Sequence, residues 1–193
     1  LWVGDRADVA VGGVCLRGFG QEVVVSNGTL RIGRTGDEST GHGLRPAYTP
    51  NAAHTADDSG RHRFSFHGAA RMVCAVPRGN DFTNACSFAF HVPTGGYVEA
   101  AFESTSYPIR FSDDTEFSFD FSSLGSHGVR KMPLVRYSGT YERDRIVMSD
   151  ALLAKVQAAA EAARPHSRVT LSSDRRLLSL RVPSTLGTLI ILR

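Results

Sequence analysis

Residues 149–163 read SDALLAKVQAAAEAA, and they form the one strong helical pattern in a chain of 193 residues. Ser149 is a typical helix N-cap, and Asp150 suits the positive end of the helix dipole. Pro165 ends the helix. An apolar stripe at helical spacing lies on one side of it, made of Leu152, Val156, Ala159 and Ala163. The sequence therefore predicts one alanine-rich helix in a chain that otherwise shows strand patterns.

Short apolar strands flank this helix. Residues 146–148 precede it, and three apolar stretches follow it. The first two predict a hairpin around a two-residue turn at Asp174 and Arg175. The predicted pairs are Val169 with Leu180, Leu171 with Leu178 and, for the third stretch, Val182 with Leu189.

This order of one strand, one helix and three strands over residues 145–193 resembles the final repeat of sliding clamps of the PCNA and checkpoint-clamp kind. Residues 23–32 are also similar to the early hairpin of that family. The resemblance implies an oligomeric ring around duplex DNA that recruits replication or repair proteins. Two features depart from the family: the helix offers only Lys155 and Arg164 to DNA, and residues 33–141 do not fit the pattern.

The rest of the chain alternates like β-strands. Asn27-Gly28 is a strong hairpin signal, and a turn there pairs Val25 with Leu30 and Val23 with Ile32. A second predicted hairpin has a three-residue loop at 113–115. It pairs Phe111 with Phe117 and Ile109 with Phe119. Further alternation occurs in Phe64 and Phe66, in Cys86, Phe88, Phe90 and Val92, and in Val98, Ala100 and Phe102.

These patterns predict a mainly β (α+β) fold of antiparallel sheets or a sandwich, with one C-terminal helix packed on a sheet. The phenylalanines form the main core. Residues 1–144 are the β-rich body, with a mobile polar loop at about 33–62. Residues 145–193 are the strand-helix-three-strand unit, in the same domain.

Composition is that of an ordinary globular protein, with 41% hydrophobic and 21% charged residues. A net charge of +3 permits a nucleic-acid partner without requiring one. No stretch is long and apolar enough to span a membrane, and no signal peptide is visible. Three widely spaced cysteines argue against a disulfide framework and favour an intracellular setting, nucleus or cytoplasm; a Cys74–Cys86 bridge stays open.

No local pattern of catalytic, cofactor or metal-binding residues stands out. His62 and His67 lie five apart on a strand and face opposite sides, and His42 and His54 fall in the predicted loop. Asn27-Gly28-Thr29 is a glycosylation sequon that the turn already explains. We therefore expect no enzyme, no cofactor and no metal. The remaining candidate is a basic contact surface made of Arg164, Arg168, Arg175, Arg176 and Arg181.

Three functions remain open. The first is a non-enzymatic protein-interaction or assembly module, a scaffold or structural subunit with protein partners or copies of itself. The second is the clamp-like DNA-associated subunit, and the third is a carbohydrate-binding β-sandwich that uses exposed aromatic rings. The aromatic candidates are Trp2, Tyr48 and Tyr97.

Overall fold

The computed structural model describes residues 1–4, 6–16, 20–33, 44–46, 61–74, 81–82, 86–140 and 145–185. Strands dominate these residues and one α-helix accompanies them, which confirms the predicted mainly β class. The elements are β1 Trp2–Val3, β2 Asp8–Val11, β3 Val14–Leu16, β4 Glu22–Ser26, β5 Thr29–Ile32, β6 Leu44–Pro46, β7 His62–His67, β8 Arg71–Cys74, β9 Asp81–Phe82, β10 Cys86–His91, β11 Phe102–Ser104, β12 Ile109–Phe111, β13 Glu116–Asp120, a 3₁₀ helix Ser122–Leu124, β14 Val129–Tyr137, β15 Ile146–Val147, α1 Asp150–Ala163, β16 Arg168–Leu171 and β17 Leu177–Val182.

Strand pairing in the body is parallel, and among the described residues every strand from β1 to β12 except β6 pairs with the strand three positions further along the chain. The first sheet has the order β1-β4-β7-β10-β13, and the second contains β2-β5-β8-β11-β14. The remaining strands of the body form a third set of pairs: β3 pairs with β6, and β12 pairs with both β9 and β15. We call this set the third position of each turn. The chain therefore coils through three sheet positions in each turn, as a parallel β-helix.

The prediction of antiparallel hairpins in the body is wrong. Asn27-Gly28 forms a corner between β4 in the first sheet and β5 in the second, with Asn27 at φ 50°. Val23 and Val25 pair with Phe64 and Phe66 of the next turn instead of with Leu30 and Ile32. Alternation of inward and outward side chains is the same in parallel and antiparallel strands, so the pattern could not separate them.

The predicted hairpin at 113–115 is wrong for the same reason, because that turn joins β12 in the third position to β13 in the first sheet. Phe111 and Phe117 are not paired residues, yet their rings touch across the corner at 5.4 Å between centroids. The predicted β-sandwich depended on these antiparallel hairpins and is therefore also wrong. Two smaller corrections concern Leu44–Pro46, which form β6 inside the predicted loop, and Val98, which is 93% exposed. The rest of that loop, apart from residues 33 and 61–62, lies outside the described residues.

The C-terminal unit has the predicted helix cap and hairpin register, but not the predicted two-residue turn at Asp174 and Arg175, because the Arg175 N–H donates to the Ser172 carbonyl at 2.8 Å. Ser149 caps α1 by accepting a hydrogen bond from the Leu152 backbone N–H. The hairpin pairs Val169 with Leu180 and Leu171 with Leu178, as predicted. Leu152 and Val156 are buried, but the stripe continues at Ala160 rather than at Ala159 and Ala163. The third predicted strand, with Leu189, lies outside the described residues.

This unit covers the last turn of the β-helix. Strand β17 pairs antiparallel with β14 and extends the second sheet, and α1 packs along β13. The hairpin turn reaches β15, where the Ile146 N–H donates to the Arg175 carbonyl at 3.0 Å. All three strands of the last turn are therefore covered.

Stacked phenylalanines fill the core beneath the first sheet. In-register pairing places Phe64, Phe88 and Phe117 in one row and Phe66, Phe90 and Phe119 in the next. Neighbouring rings lie 5.1 to 5.7 Å apart at interplanar angles of 17 to 19°. The prediction of a phenylalanine core is confirmed, although parallel pairing between turns creates it.

We expect Phe90→Ala to lower the free energy of unfolding by about 3–5 kcal/mol, because the ring is fully buried and stacks on both sides. Urea denaturation measures this change. The control is Val98→Ala, an apolar truncation at an exposed position, with an expected change within about 0.5 kcal/mol. Equal losses in the two variants would contradict the stacked core.

Candidate functional site

The outer face of the first sheet carries three rows of side chains that run across its strands. Parallel pairing in register puts equivalent residues of successive turns side by side. The central row is Val24, Ser65, Ala89 and Ser118. The first flanking row is Glu22, Arg63, Ser87 and Glu116, and the second is Ser26, His67, His91 and Asp120. The central row is shorter than the polar rows on either side and forms the floor of a shallow groove along the β-helix axis, in which Ser65 is buried by its neighbours.

Trp2 extends the central row at its first-turn end. It pairs with Val24, and 62% of it is exposed, although Val3 beside it is buried. A Cβ atom at Gly4 would overlap the Trp2 ring, so glycine lets the ring lie against the main chain. The central row then spans four strand spacings, about 19 Å. One end of the groove is therefore an exposed aromatic surface.

Helix α1 closes the other end of the groove. Lys155 Nζ donates to the Asp113 carbonyl at 2.8 Å, before β13, and Arg164 donates to the Gly125 carbonyl at 3.1 Å, after it. The helix therefore runs beside β13 along its length. A cavity of about 510 Å³ lies between helix and sheet. Its lining includes Arg63, Ser87, Ala89, His91, Ser118 and Lys155.

Two stacked imidazoles form the middle of the second flanking row. The rings of His67 and His91 lie 3.7 Å apart at 12°. Asp120 Oδ2 is 3.1 Å from His91 Nδ1, and a hydrogen bond from the Ser122 backbone N–H holds the pKa of Asp120 below its ordinary value. Partial burial, and then the charge of His91, lower the pKa of His67. A neutral His67 ring offers one donor and one acceptor to the groove.

Polar contacts also fix the first flanking row. Ser65 Oγ donates to Glu22 Oε1 at 2.9 Å, and Arg61 forms an ion pair with Glu116 at 3.2 Å. Both carboxylates therefore have partners before any ligand arrives. A groove held in place in this way loses little conformational freedom on binding.

The five arginines of the predicted basic surface have different roles. Arg164 is buried, so it does not face a partner. Arg175 donates to the Met148 carbonyl at 3.0 Å, and Arg176 donates to the Gly139 carbonyl at 3.1 Å. Arg168 and Arg181 lie opposite each other in β16 and β17, and both are exposed. Only this last pair forms a common outward surface.

The other predicted site residues are also distributed across the fold. Tyr97 is buried and its hydroxyl donates to the Phe66 carbonyl at 3.0 Å, so its ring is unavailable to a ligand. His62 points inward and His67 outward, as predicted. Cys74 and Cys86 are free and buried, and burial raises the pKa of Cys86 to about 12. Tyr48, His42 and His54 lie outside the described residues.

Within the residues that the structure describes, no group of three or more His, Cys, Asp or Glu side chains is arranged to hold a metal ion. Asn27 is exposed, and its side-chain oxygen accepts a hydrogen bond from the Ala69 backbone N–H at 3.0 Å. This contact braces the corner turn. It supports the structural explanation of the sequon.

The groove was missed at the level of the sequence, although a signal for it exists. Three segments repeat a small residue between two phenylalanines: Phe64-Ser65-Phe66, Phe88-Ala89-Phe90 and Phe117-Ser118-Phe119. In a β-helix this repeat stacks the rings inside and aligns the small residues outside. The repeat indicates both the core and the groove floor once successive segments are taken as parallel.

Comparisons with protein-family models, curated proteins and solved structures gave no match. Among the helices of the described residues, none is long and apolar enough to cross a membrane.

The histidines of the first sheet predict a pH-dependent stability. Burial lowers the pKa of His67 and of His62, whose ring nitrogens have no hydrogen-bond partner in the part of the chain that the structure describes. In this pH range the histidines of the unfolded chain therefore bind more protons than those of the folded chain. As a result, the free energy of unfolding falls as pH drops from about 7.5 to about 5.5. We expect His62→Gln to reduce this fall. Urea denaturation at each pH measures it.

The control for this prediction is His127→Gln, at an exposed position on the loop after β13. It should keep the pH dependence of the wild-type protein. Equal pH dependence in His62→Gln and wild type would show that buried His62 is protonated as easily as in the unfolded chain.

Proposed function

We propose that this protein binds a linear, neutral polysaccharide along the groove of the first sheet. The observation that carries the proposal is the straight central row of small residues, with Trp2 exposed at one end and α1 closing the other. A floor of about 19 Å accommodates several sugar units of an extended chain and is too long for one small molecule. The expected sandwich is replaced by a β-helix face.

The chemistry of the groove supports a sugar as the ligand. An exposed indole offers a flat apolar face, which suits the C–H surface of a pyranose ring. Ser87, Ser118 and the imidazole of His67 offer hydroxyl and ring nitrogen groups for hydrogen bonds to sugar hydroxyls. Glu22 accepts a hydrogen bond from Ser65 and Glu116 pairs with Arg61, so both carboxylates already have partners within the protein.

The proposal is of a binding module without catalytic activity, in keeping with the sequence expectation that the chain is not an enzyme. The intracellular location expected from the cysteines also belongs to the proposal. The free thiols of Cys74 and Cys86 support it, because reducing compartments keep cysteines unpaired.

We expect fluorescence of Trp2, the sole tryptophan, to change on titration with neutral linear oligosaccharides. Affinity should rise from disaccharide to hexasaccharide as more of the floor is covered. Ala89→Arg places a long side chain on the middle of the floor and should abolish the gain with length. Trp2→Ala should weaken binding by about two- to tenfold, as measured by calorimetry.

The matched control is Val98→Arg, which adds the same side chain at an exposed position outside the central row. It should bind like the wild-type protein. Failure of every neutral glucan, mannan, xylan and chitin oligosaccharide to bind would refute the proposal. So would undiminished binding by Ala89→Arg.

A second candidate function is assembly with another copy of the chain, and the first turn favours it. Strands β1 and β2 are the end strands of their sheets among the described residues. The carbonyls of Ala7 and Val11 accept hydrogen bonds from backbone N–H groups of Thr29 and Gly33, on the side of β5. Because the N–H and C=O groups of successive residues in a strand point to opposite sides, those of Asp8 and Ala10 face the free edge. Val9 and Val11 are only half-buried. Such an edge is suited to pairing with the same edge of a second copy.

We expect the wild-type protein to show a concentration-dependent dimer in sedimentation velocity, and Ala10→Pro to be monomeric. Proline removes an N–H that faces the free edge and leaves the bonds to β5 intact. Val98→Pro, in an exposed loop segment, is the control and should dimerise. A wild-type protein that stays monomeric at every concentration tested would exclude this candidate.

A further inference from the structure

A row of positive charge crosses the C-terminal end of the second sheet. Strands β14, β17 and β16 are neighbours there. Between Val129 and Met132, β14 has a bulge that places residues 130 and 131 opposite Arg181. Arg181 in turn lies directly opposite Arg168. Lys131, Arg181 and Arg168 are exposed, and we call them the cationic row.

Among the described residues, the cationic row has no acidic partner. Within the described part of the chain, no ion pair involves these three residues, whereas Arg31, Arg61 and Arg71 elsewhere in the fold pair with carboxylates. Like charges directly opposite each other on neighbouring strands destabilise a sheet. The folded protein therefore bears a repulsive cost at this position, and an anionic ligand would relieve it.

Protection of a sheet edge does not account for the row. Charged residues on an edge strand discourage unwanted pairing, and this explains Arg168 on β16. Arg181 and Lys131 lie on strands that are paired on both sides. The extra residue of the bulge places Lys131 opposite Arg181. Bulges commonly redirect side chains in this way next to functional sites.

The dimensions of the row favour a nucleic-acid backbone. Two strand spacings separate the strands of Lys131 and Arg168, about 10 Å. Duplex DNA carries a phosphate charge every 1.7 Å or so along its axis, so a contact about 10 Å long lies beside several phosphates. The gain from releasing counterions is greatest for the most densely charged polymer, and duplex DNA carries one charge per about 1.7 Å.

We propose that Lys131, Arg168 and Arg181 form a contact surface for the phosphate backbone of duplex DNA, without base recognition. This surface lies on the second sheet and is separate from the groove of the first sheet. It also differs from the five-arginine surface expected from the sequence: Arg164, Arg175 and Arg176 are not part of it, and Lys131 is.

Fluorescence anisotropy with a labelled random-sequence duplex, at a series of salt concentrations, tests this proposal. Each phosphate contact adds about 0.9 to the slope of log affinity against log salt. The variant with Lys131, Arg168 and Arg181 all changed to Gln should lose about 2.7 of that slope. Sequence changes in the duplex should leave the affinity unaltered.

The matched control changes Arg6, Arg31 and Arg110 to Gln. These residues are exposed, lie outside the cationic row and carry the same total charge. The control should keep the wild-type slope, and circular dichroism should show both variants folded. Equal slopes for both variants would attribute any binding to net charge and overturn the proposal. Absence of binding at low salt, or tighter binding of a sulfated polysaccharide than of DNA, would also overturn it.

Discussion

Stacking of equivalent residues in successive turns is the constraint on which this structure depends. Parallel pairing in register forces each side chain to lie beside its counterpart in the next turn. A residue that suits one turn must therefore tolerate a copy of itself. Phenylalanine meets this condition inside, where offset rings attract each other, and small or mutually hydrogen-bonding residues meet it outside. The core and the groove are two faces of the same strands.

The last turn of the β-helix is covered by a different type of structure instead of by another turn. At the C-terminal end, α1 and the β16–β17 hairpin provide this cover with a different type of structure for each sheet position. The alanine-rich composition of α1 serves this purpose, because a thin helix approaches β13 closely while Leu152 and Val156 fill the space beneath it. This end unit also builds the groove wall and carries two residues of the cationic row. A single unit thus completes the core and shapes two surfaces.

Local features were predictable from the sequence where near neighbours determine them. The N-cap at Ser149 and the register of Val169 with Leu180 depend on residues within a short distance along the chain, and both were predicted. Pairing of Phe66 with Phe90 depends on residues 24 positions apart, and alternation alone does not indicate the direction of a partner strand. The strength of Asn27-Gly28 as a hairpin signal led to an antiparallel prediction, since the same residues also suit a corner. Of the candidate site residues, the sequence analysis named Trp2, Arg168 and Arg181, and their roles stay predictions. Lys131 was not named, because it lies beside the arginines only through a bulge that no local pattern indicates.

Because the turns pair in register, the number of turns sets the length of the groove of the first sheet. Each turn adds one residue to the floor and one to each flank, so its length changes in whole strand spacings of about 4.8 Å. Insertion or loss of a complete turn would lengthen or shorten the groove while the remaining neighbour contacts stay as they are, since each turn touches only the turns beside it. Change within a turn would instead alter the chemistry at one point of the groove. The length of the groove and its local chemistry can therefore change independently in this architecture.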